Sequence, residues 1–341
     1  MPVADDRPPD EGQRPGGSDG AESWVDERLE EHGFRREAKP EVVHTTAWTR
    51  VARVATDAGV VWFKAPGPEV AAEGSIVLML REVAPELLPE VIAHDAKHGW
   101  LLTRDGGMRL REYAPDEIQL AVWERLLPAY AELQQGATPL VSGLLAAGVP
   151  SFESAGLVDS TRQVLDEVGR SDGAADPAYA DLLRSGLGLL ERLVSRLAAA
   201  GIPDSIQHDD LHDGNVLVDA SERDVSPRLT VFDWGDACIA HPFHTLVVTL
   251  RSLAYRLGLE PDASELLRLR DAYLEAWTSY GSRAALVDAA DAARRTGTLQ
   301  RALAWRRLLA STQPDHAQQE DDPVAAGIRG FLADRPWGAW K

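Results

Sequence analysis

Two acidic motifs follow each other in this 341-residue chain: His208-Asp209-Asp210-Leu211-His212-Asp213-Gly214-Asn215 and, starting eighteen residues beyond Asn215, Asp233-Trp234-Gly235-Asp236. Each motif sets a carboxylate beside a short apolar run, at a turn marked by glycine. Asn215 is the only asparagine in the chain, which indicates that this position requires a neutral amide oxygen. Hard divalent cations take oxygen ligands from Asp, Asn and phosphate. The motifs therefore predict a site for such a cation.

The two motifs lie in a non-helical segment, residues 206–241, inside an otherwise helical region. Short apolar strands are predicted there at 216–218 and 229–232, with a polar loop at 221–228 between them. On both sides of the segment apolar residues recur at helical spacing. This spacing predicts helices over about 115–135, 156–168, 178–200, 263–280 and 284–309. We therefore predict a mostly helical lobe over 105–341 that carries the motifs in one loop region.

The chain before residue 105 is built from shorter segments rich in β-branched and aromatic residues. Strands are predicted at 42–44, 49–55, 60–65, 90–94 and 100–103, and a helix at 69–83. Asp57-Ala58-Gly59 is a hairpin turn candidate between the second and third strands. The order of strands, one helix and strands again predicts an α+β lobe over 22–104.

The first residues of the chain differ from both lobes. Residues 1–21 consist mainly of Asp, Glu, Gly, Pro and Ser, a composition typical of disorder, so we predict an acidic disordered tail. A short amphipathic helix is predicted over 23–36, with Ser23 as its N-cap.

Charge and composition exclude several classes of protein. Lys and Arg total 35 against 54 Asp and Glu, so the formal charge is −19. Such a surface repels phosphate backbones and anionic lipid, and we expect neither nucleic acid nor a membrane as a partner. Cys238 is the only cysteine, which excludes an intrachain disulfide and a cysteine-based zinc site. No apolar run approaches the ~18 residues of a membrane span, so we expect a cytoplasmic protein.

The first motif resembles the catalytic loop His-Gly-Asp-Leu-His-x-Gly-Asn of the aminoglycoside phosphotransferase and choline kinase-like family, relatives of the protein kinases. The separation of Asp210 from Asn215 equals that in the protein-kinase loop H-R-D-L-x-x-x-N. The second motif is similar to the family's Asp-x-Gly-Asp, at the place of the kinase D-F-G. The resemblance covers about residues 41–250. It implies a bilobal, protein-kinase-like α+β fold with a small β-rich N-lobe, one main helix in that lobe, and a larger helical C-lobe.

This resemblance implies an ATP-dependent phosphotransferase that moves the γ-phosphoryl group to a hydroxyl of a small molecule, with GTP as the alternative donor. Asp210 would be the catalytic carboxylate. Asn215 and Asp233 would hold Mg²⁺ on the phosphates.

The N-lobe should then supply a cation for the phosphates and a carboxylate that holds this cation. Lys64 ends the third predicted strand and Glu73 lies on the helix that follows. Lysine occurs at only four positions in the chain, and Lys64 alone lies on that strand. Residues 100–105 would form the hinge strand that receives adenine through backbone groups, which makes Thr103 a third nucleotide-binding candidate.

The chain departs from the family pattern in three places. The loop 44–49 contains no glycine, so only threonine hydroxyls and backbone N–H groups could contact phosphate there. Asp209 replaces the usual glycine of the catalytic loop and adds a negative charge. His241-Pro242-Phe243-His244 stands where the family often has an aspartate, so we expect a different acceptor side.

The acceptor and two alternative functions stay open. Acidic residues at 209, 213 and 236 favour a cationic acceptor, among aminoglycosides, amino alcohols, sugars and nucleoside-like hydroxyls. One alternative is a metal-dependent phosphohydrolase that uses His208, Asp210 and His212, with His241 and His244 as further ligands. The other is a nucleotide-binding pseudokinase, which would be expected to lack one of the motif residues.

Overall fold

The computed structural model describes residues 18–170, 177–220, 227–310 and 323–339. These residues form two compact units. The first consists of the chain up to Gly107 together with Asp219–Gly235, and the second of Met108–Val218 together with the chain from Asp236 onward. Residues 1–17 of the predicted tail and 221–226 of the predicted polar loop lie outside the described residues.

The first unit is organised around one antiparallel sheet of five strands, in the spatial order β1-β2-β3-β5-β4. Its strands are β1 (Glu41–Thr45), β2 (Thr49–Thr56), β3 (Gly59–Pro66), β4 (Val91–Asp95) and β5 (Trp100–Arg104). The predicted hairpin between β2 and β3 is confirmed, because Thr56 pairs with Gly59 and only two residues turn the chain. Gly59 has a φ of +106°, a conformation that favours glycine.

Helix α1 (Ser18–Glu31) packs on one face of this sheet. Ala21, Val25 and Leu29 are buried against strand residues that include Phe63 and Leu102. The prediction that the tail extends to residue 21, and that Ser23 caps the helix, was therefore wrong. The small apolar side chain of Ala21 lies in the interface with the sheet, and packing against the sheet stabilises helical turns that propensity alone would not.

Helix α2 (Glu73–Leu80) is shorter than the predicted 69–83. A separate 3₁₀ turn, Pro68–Val70, precedes it. Gly74 stands in the first turn of α2, where an added Cβ would come within 2.2 Å of the His94 ring on β4. Glycine is thus required there for the helix to approach the sheet closely.

The segment Asp219–Gly235 belongs to the first unit, although it was predicted as part of the helical lobe. It contains β9 (Arg228–Val231) and the start of the second motif. The guanidinium of Arg228 donates hydrogen bonds to the main-chain carbonyls of Pro85, Glu86 and Leu88 at 3.0–3.1 Å. Strand and helix patterns in a sequence act over a few residues, whereas these hydrogen bonds join residues about 140 positions apart. The sequence pattern therefore could not assign this segment to the first unit.

The second unit is mostly helical, as predicted. Its helices are α3 (Leu110–Tyr113), α4 (Asp116–Ala137), α5 (Val141–Ala146), α6 (Leu157–Arg170), α7 (Pro177–Ala200), α8 (Thr245–Leu257), α9 (Ser264–Glu275), α10 (Arg283–Leu309) and α11 (Pro323–Leu332). Its short strands are β6 (Met108–Arg109), β7 (Ser205–Gln207), β8 (Val216–Asp219, of which the last residue belongs to the first unit) and β10 (Cys238–Ala240). Helix α8 was not predicted, because its first turns, residues 245–249, are rich in β-branched Val and Thr, which favour strands locally.

The core of the second unit holds the first motif in a fixed place. β7 and β10 pair antiparallel, and His208 follows β7 directly. The backbone N–H of His208 donates to the hydroxyl of the buried Tyr130 on α4 at 3.0 Å. The hydroxyl of Thr249 on α8 donates to the carbonyl of Leu211 at 2.8 Å. The loop is therefore tied to two helices through buried hydrogen bonds.

A search of the helices in the described ranges finds none with the length and apolar character that a bilayer crossing requires.

Candidate active site

In the first unit, three of the predicted residues meet around one ammonium group. The Nζ atom of Lys64 on β3 lies 2.6 Å from Oε2 of Glu73, at the start of α2, and it also contacts Oδ1 of Asp233. We call Lys64, Glu73 and Asp233 the lysine cluster. Burial disfavours the charged lysine, but the carboxylates of Asp233 and Glu73 outweigh burial and raise the pKa of Lys64 above its ordinary value. The lysine is thus a permanent cation.

The two carboxylates of the lysine cluster differ in exposure. The Glu73 side chain is 4% exposed, and its Oε1 accepts a hydrogen bond from the Trp234 backbone N–H at 3.2 Å. Burial raises the pKa of Glu73, against the opposing effect of the lysine. The Asp233 side chain is 47% exposed, and its backbone has a φ of +66°. Glu73 is therefore a fixed support, while Asp233 stands at a turn that water reaches.

Thr103 lies on the same face of the sheet as Lys64. Leu101 pairs with Lys64, and Thr103 pairs with Trp62, two residues before Lys64 on β3. Paired residues in antiparallel strands point to the same face, and so do residues two apart. The sheet therefore presents Lys64 and Thr103 together, on the face opposite to the one that α1 covers.

In the second unit, the first motif brings Asp210 and Asn215 together. The amide nitrogen Nδ2 of Asn215 donates to the backbone carbonyl of Asp210 at 2.9 Å and lies 3.3 Å from its Oδ2. Because both bonds use the amide nitrogen, the carbonyl oxygen of Asn215 is the atom that could ligate a cation. This explains why the position requires asparagine. The amide nitrogen donates hydrogen bonds to Asp210 in the loop of the first motif, and the amide oxygen remains as a neutral ligand.

His212 supports Asp210, which sequence reasoning could not establish. Its Nδ1 accepts hydrogen bonds from the Gly214 N–H at 2.9 Å and from the Arg111 guanidinium at 3.1 Å. A ring that accepts hydrogen bonds at Nδ1 carries its proton on Nε2. That atom lies 3.3 Å from Oδ2 of Asp210 and donates to it. A side chain at Gly214 would displace the Arg111 guanidinium from His212, because a Cβ there would come within 2.0 Å of it.

A second cation lies against the loop from α10, and the sequence analysis missed it. Nη2 of Arg301 is 2.9 Å from Oδ1 of Asp210, and Nη1 is 3.6 Å from Oδ2 of Asp209. We call Arg301, Asp209 and Asp210 the arginine cluster. The signal available in the sequence was weak: Gln300 and Arg301 are a polar pair inside the apolar run from Leu299 to Ala304.

The arginine cluster separates the pKa values of its two acids. Burial raises the pKa of Asp209 to about 6, against the attraction of Arg301. At Asp210 burial acts in the same direction, but the hydrogen bond from His212 and the charge of Arg301 outweigh it and lower the pKa below its ordinary value. Asp210 therefore stays ionised at any pH near neutral. The φ of Asp209 is +63°, the backbone conformation that suits the glycine usual in the family.

Two of the three acids that favoured a cationic acceptor contact arginines of the chain. Asp209 faces Arg301, as described above. Asp213 is 8% exposed and lies between Arg111, at 3.1 Å, and Arg256 on α8, at 3.3 Å. Because these carboxylates bind arginines of the chain, they give little support to a cationic acceptor, which stays a prediction.

Polar groups of the glycine-free loop 44–49 form hydrogen bonds with one another. The Thr46 hydroxyl accepts hydrogen bonds from the backbone N–H groups of Trp48 and Thr49, at 3.2 and 3.1 Å. Those two N–H groups are therefore occupied within the loop, contrary to the expectation that they face phosphate. The Thr46 hydroxyl accepts both bonds through its oxygen and keeps its own hydrogen as a donor.

The two histidines of the substituted segment face the interior. His241 is buried and its Nδ1 accepts from the Phe243 N–H at 3.2 Å, while Nε2 of His244 lies 2.9 Å from the Thr296 hydroxyl. Burial lowers the pKa of His244 to about 3 and the pKa of His241 well below its ordinary value. Both rings are neutral packing groups. Among the described residues, no three His, Cys, Asp or Glu side chains are grouped as a ready metal site.

A two-unit α+β molecule with a lysine–glutamate pair beside its sheet and an Asp-x-x-x-x-Asn loop in its helical unit is a kinase-like phosphotransferase in architecture. The family model described as the phosphotransferase enzyme family (APH) matches residues 41–286, and the chain belongs to that family. No curated protein sequence matches the chain.

Solved structures share the fold at low sequence identity. A choline/ethanolamine kinase family protein from Mesorhizobium loti is 20% identical, with a TM-score of 0.55 over 88% of this chain and 87% of that one. Macrolide 2′-phosphotransferase type I is 16% identical, with a TM-score of 0.55 over 92% and 98%. Aminoglycoside 2′-phosphotransferase-IIIa, solved as its GDP complex, is 13% identical, with a TM-score of 0.53 over 92% and 98%. These likenesses establish the protein-kinase-like fold.

Proposed function

We propose that the protein transfers the γ-phosphoryl group of ATP, or of GTP, to a hydroxyl of a small molecule. The observation that carries the proposal is the Lys64 ammonium, held at 2.6 Å by a buried glutamate and in contact with Asp233 of the second motif. A buried cation fixed in this way is what a triphosphate requires, because charge on the phosphates must be neutralised without movement of the protein.

In the proposed reaction the lysine cluster acts on the nucleotide. Lys64 contacts the phosphates, and Glu73 keeps it in place. Thr103 contacts the base through its side chain, because the backbone of β5 is paired with β3 on one side and β4 on the other; the expectation that this backbone receives adenine was wrong. Asp233 has to exchange its contact with Lys64 for a contact with the metal, which its exposure permits.

Asp210 acts on the acceptor. Its carboxylate orients the hydroxyl and accepts its proton late in the transfer, because the transition state of phosphoryl transfer is loose. A lowered pKa suits this role, since the base must be ionised and need not be strong. His212 and Asn215 hold the carboxylate in place through Oδ2.

The residues present fit a magnesium ion. The carbonyl oxygen of Asn215 and the carboxylate of Asp233 are hard oxygen donors of the kind Mg²⁺ takes, and nucleotide phosphates and water complete its preferred shell. Bound to the phosphates, the ion would neutralise charge that develops during transfer. Two protein ligands are too few for a tight site in the absence of nucleotide.

Neither alternative function is supported by the described residues. The phosphohydrolase hypothesis needs histidine ligands, but His241 and His244 are neutral interior groups, and the Nδ1 atoms of His208 and His212 accept hydrogen bonds from loop N–H groups. The pseudokinase hypothesis expects a lost motif residue, whereas Asp210, Asn215 and Asp233 are all present.

The acceptor is proposed as a small molecule with a free hydroxyl. The structural neighbours are named for choline or ethanolamine, macrolide and aminoglycoside chemistry. These three classes, together with simple sugars and nucleosides, define the acceptors to be tested.

The test is a coupled assay of ADP or GDP release by the purified protein against those classes, with ATP and GTP in parallel and Mg²⁺ present. Asp210→Asn serves as the matched control, because it separates transfer by this site from contaminating kinases. Acceptor-dependent release that the control variant lacks supports the proposal. Tight Mg·ATP binding without transfer to any acceptor or to water would favour the pseudokinase hypothesis instead.

A further inference from the structure

The guanidinium of Arg301 lies against two consecutive carboxylates of the catalytic loop. It is 2.9 Å from Oδ1 of Asp210 and 3.6 Å from Oδ2 of Asp209. The three side chains are 13%, 18% and 7% exposed. Water screens these charges little, so each must be balanced by the protein itself.

The charge balance explains why Asp209 and Arg301 occur together. Within the arginine cluster itself, two carboxylates and one guanidinium carry one net negative charge; Arg251 on α8 is a further cation that acts on both acids, and Asp236 is a further acid that acts on Arg301. The family motif has glycine at position 209, with no charge. Asp209 therefore compensates the arginine, which can contact Asp210 without neutralising the loop as a whole.

The contact fixes the direction of the Asp210 carboxylate. Arg301 holds Oδ1, while Asn215 and His212 hold Oδ2 at 3.3 Å each. A carboxylate bound through both oxygens cannot rotate about its last torsion. Its Oδ2 already accepts two hydrogen bonds, whereas Oδ1 accepts one and keeps a lone pair for a substrate proton. Arg301 lies within the 27-residue helix α10, and a helix positions a side chain more precisely than a loop does.

We propose that Arg301 is a positioning residue for Asp210, with Asp209 as its counter-charge. The inference rests on the function proposed above. In that reaction the acceptor oxygen forms a bond to the γ-phosphorus, the bond from this phosphorus to the β-phosphate oxygen breaks, and the hydroxyl proton passes to Asp210. Arg301 keeps the receiving oxygen in line with that proton.

The first test measures unfolding and needs no substrate. Arg301→Met removes the guanidinium that contacts the buried carboxylates of Asp209 and Asp210, and this loss should lower the Tm by ~5 °C or more. Asp209→Gly in the same variant restores the family residue at a backbone conformation that suits it, and should recover most of that loss. Arg294→Met is the matched control on the same helix: Arg294 is similarly buried, but its partner Asp334 is 62% exposed, so a smaller Tm change is expected.

The second test measures single-turnover transfer, with Mg·ATP and the acceptor found by the screen, or with water if no acceptor is found. Arg301→Met should slow transfer by ~10²-fold, as a misplaced catalytic group does, while the KM for ATP stays within about twofold. Arg301→Lys should recover part of the rate, because one ammonium can hold one of the carboxylates. The double variant Asp209→Gly/Arg301→Met should regain stability and remain slow.

The outcomes separate positioning from a purely structural role. If the double variant regains both the Tm and the wild-type rate, Arg301 only balances Asp209 and the inference is wrong. It is equally wrong if Arg301→Met changes neither quantity. If the wild-type protein transfers phosphate to no acceptor and not to water, the proposed function fails and takes the positioning role with it. In that case the Tm values still report whether the charge cluster exists, which distinguishes the two failures.

Discussion

In each unit of this protein the candidate site residues place a cation between two carboxylates, and the two arrangements differ in how far water reaches them. In the lysine cluster one carboxylate is buried and the other, Asp233, is 47% exposed. In the arginine cluster neither acid is more than 18% exposed. An exposed partner can leave the cation when a competing ligand arrives, whereas a buried partner cannot leave without a large desolvation penalty.

The chemistry of the two cations, Lys64 and Arg301, matches this difference in exposure. The ammonium of Lys64 is a compact point charge that can turn from a carboxylate to a phosphate. The guanidinium of Arg301 is a planar fork with several fixed donors, which suits two neighbouring acids that must stay in place. We infer that the lysine cluster is built for exchange and the arginine cluster for permanence.

The largest effect is expected from Asp210→Asn, which breaks the arginine cluster at its functional end. The amide is nearly isosteric but cannot accept a proton, so the chemical step should slow by ~10²–10⁴-fold. Affinity for Mg·ATP, measured by calorimetry on the same sample, should persist or rise. Transfer at the wild-type rate would show that Asp210 is not the base.

Lys64→Ala should come next, because it removes the exchangeable cation. We expect kcat/KM for the nucleotide to fall by ~10²–10³-fold in a protein that stays folded, with a lower Tm because the buried Glu73 loses its cation. Lys64→Arg should fail as well, since a planar fork does not replace a compact ammonium. Full turnover in either variant would mean that the phosphates bind elsewhere on the chain.

A smaller effect is expected from pH, because the stability of the arginine cluster depends on the protonation of Asp209. Burial raises the pKa of Asp209 from its ordinary 3.8 to about 6, so the folded protein binds this proton more tightly than the unfolded chain does. Stability from this group is therefore present at pH 4 and is lost as the pH rises through about 6. Asp210 stays ionised over this interval, because its pKa is lowered.

Asp209→Asn removes the titrating group and keeps a residue that tolerates a positive φ. Between pH 4 and 7 the wild-type protein should lose up to ~3 kcal/mol of unfolding free energy relative to this variant, at 1.36 kcal/mol per pKa unit. Urea unfolding of both proteins at the two pH values measures the difference. Parallel pH profiles would show that Asp209 is ionised throughout the interval.

The smallest signal is expected from Mg²⁺ alone. Calorimetry without nucleotide should detect only weak binding, because Asn215 and Asp233 supply few ligands. Addition of ATP should make binding strong. Tight binding of Zn²⁺ by the protein without nucleotide, abolished by His208→Ala or His212→Ala, would revive the phosphohydrolase hypothesis.

Much of the first unit could be predicted because its signals are local. The strands around Lys64 and the hairpin at residues 57–58 follow from β-branched runs and a short turn, and such patterns act over a few residues. Helix α1 was mispredicted at its start because contact with the sheet, rather than its own propensity, stabilises its first turn. Helix α8 was missed because β-branched residues fill its first turns and favour a strand locally, whereas packing in the core stabilises the helix.

The two motifs could also be recognised from the sequence. They indicated the family, its α+β fold and the candidate site residues. Those inferences were possible because the catalytic loop is eight consecutive residues, and a loop that short keeps its spacing whatever surrounds it.

Only the tertiary structure decided how the loop's charges are balanced. Arg301 lies 91 positions after Asp210, and no local pattern connects an arginine within a long helix to a turn so far upstream. The structure likewise placed Asp213 between two arginines and turned His241 and His244 inward. Pairing of buried charges depends on which helices pack together, and that information resides in the fold of the whole unit.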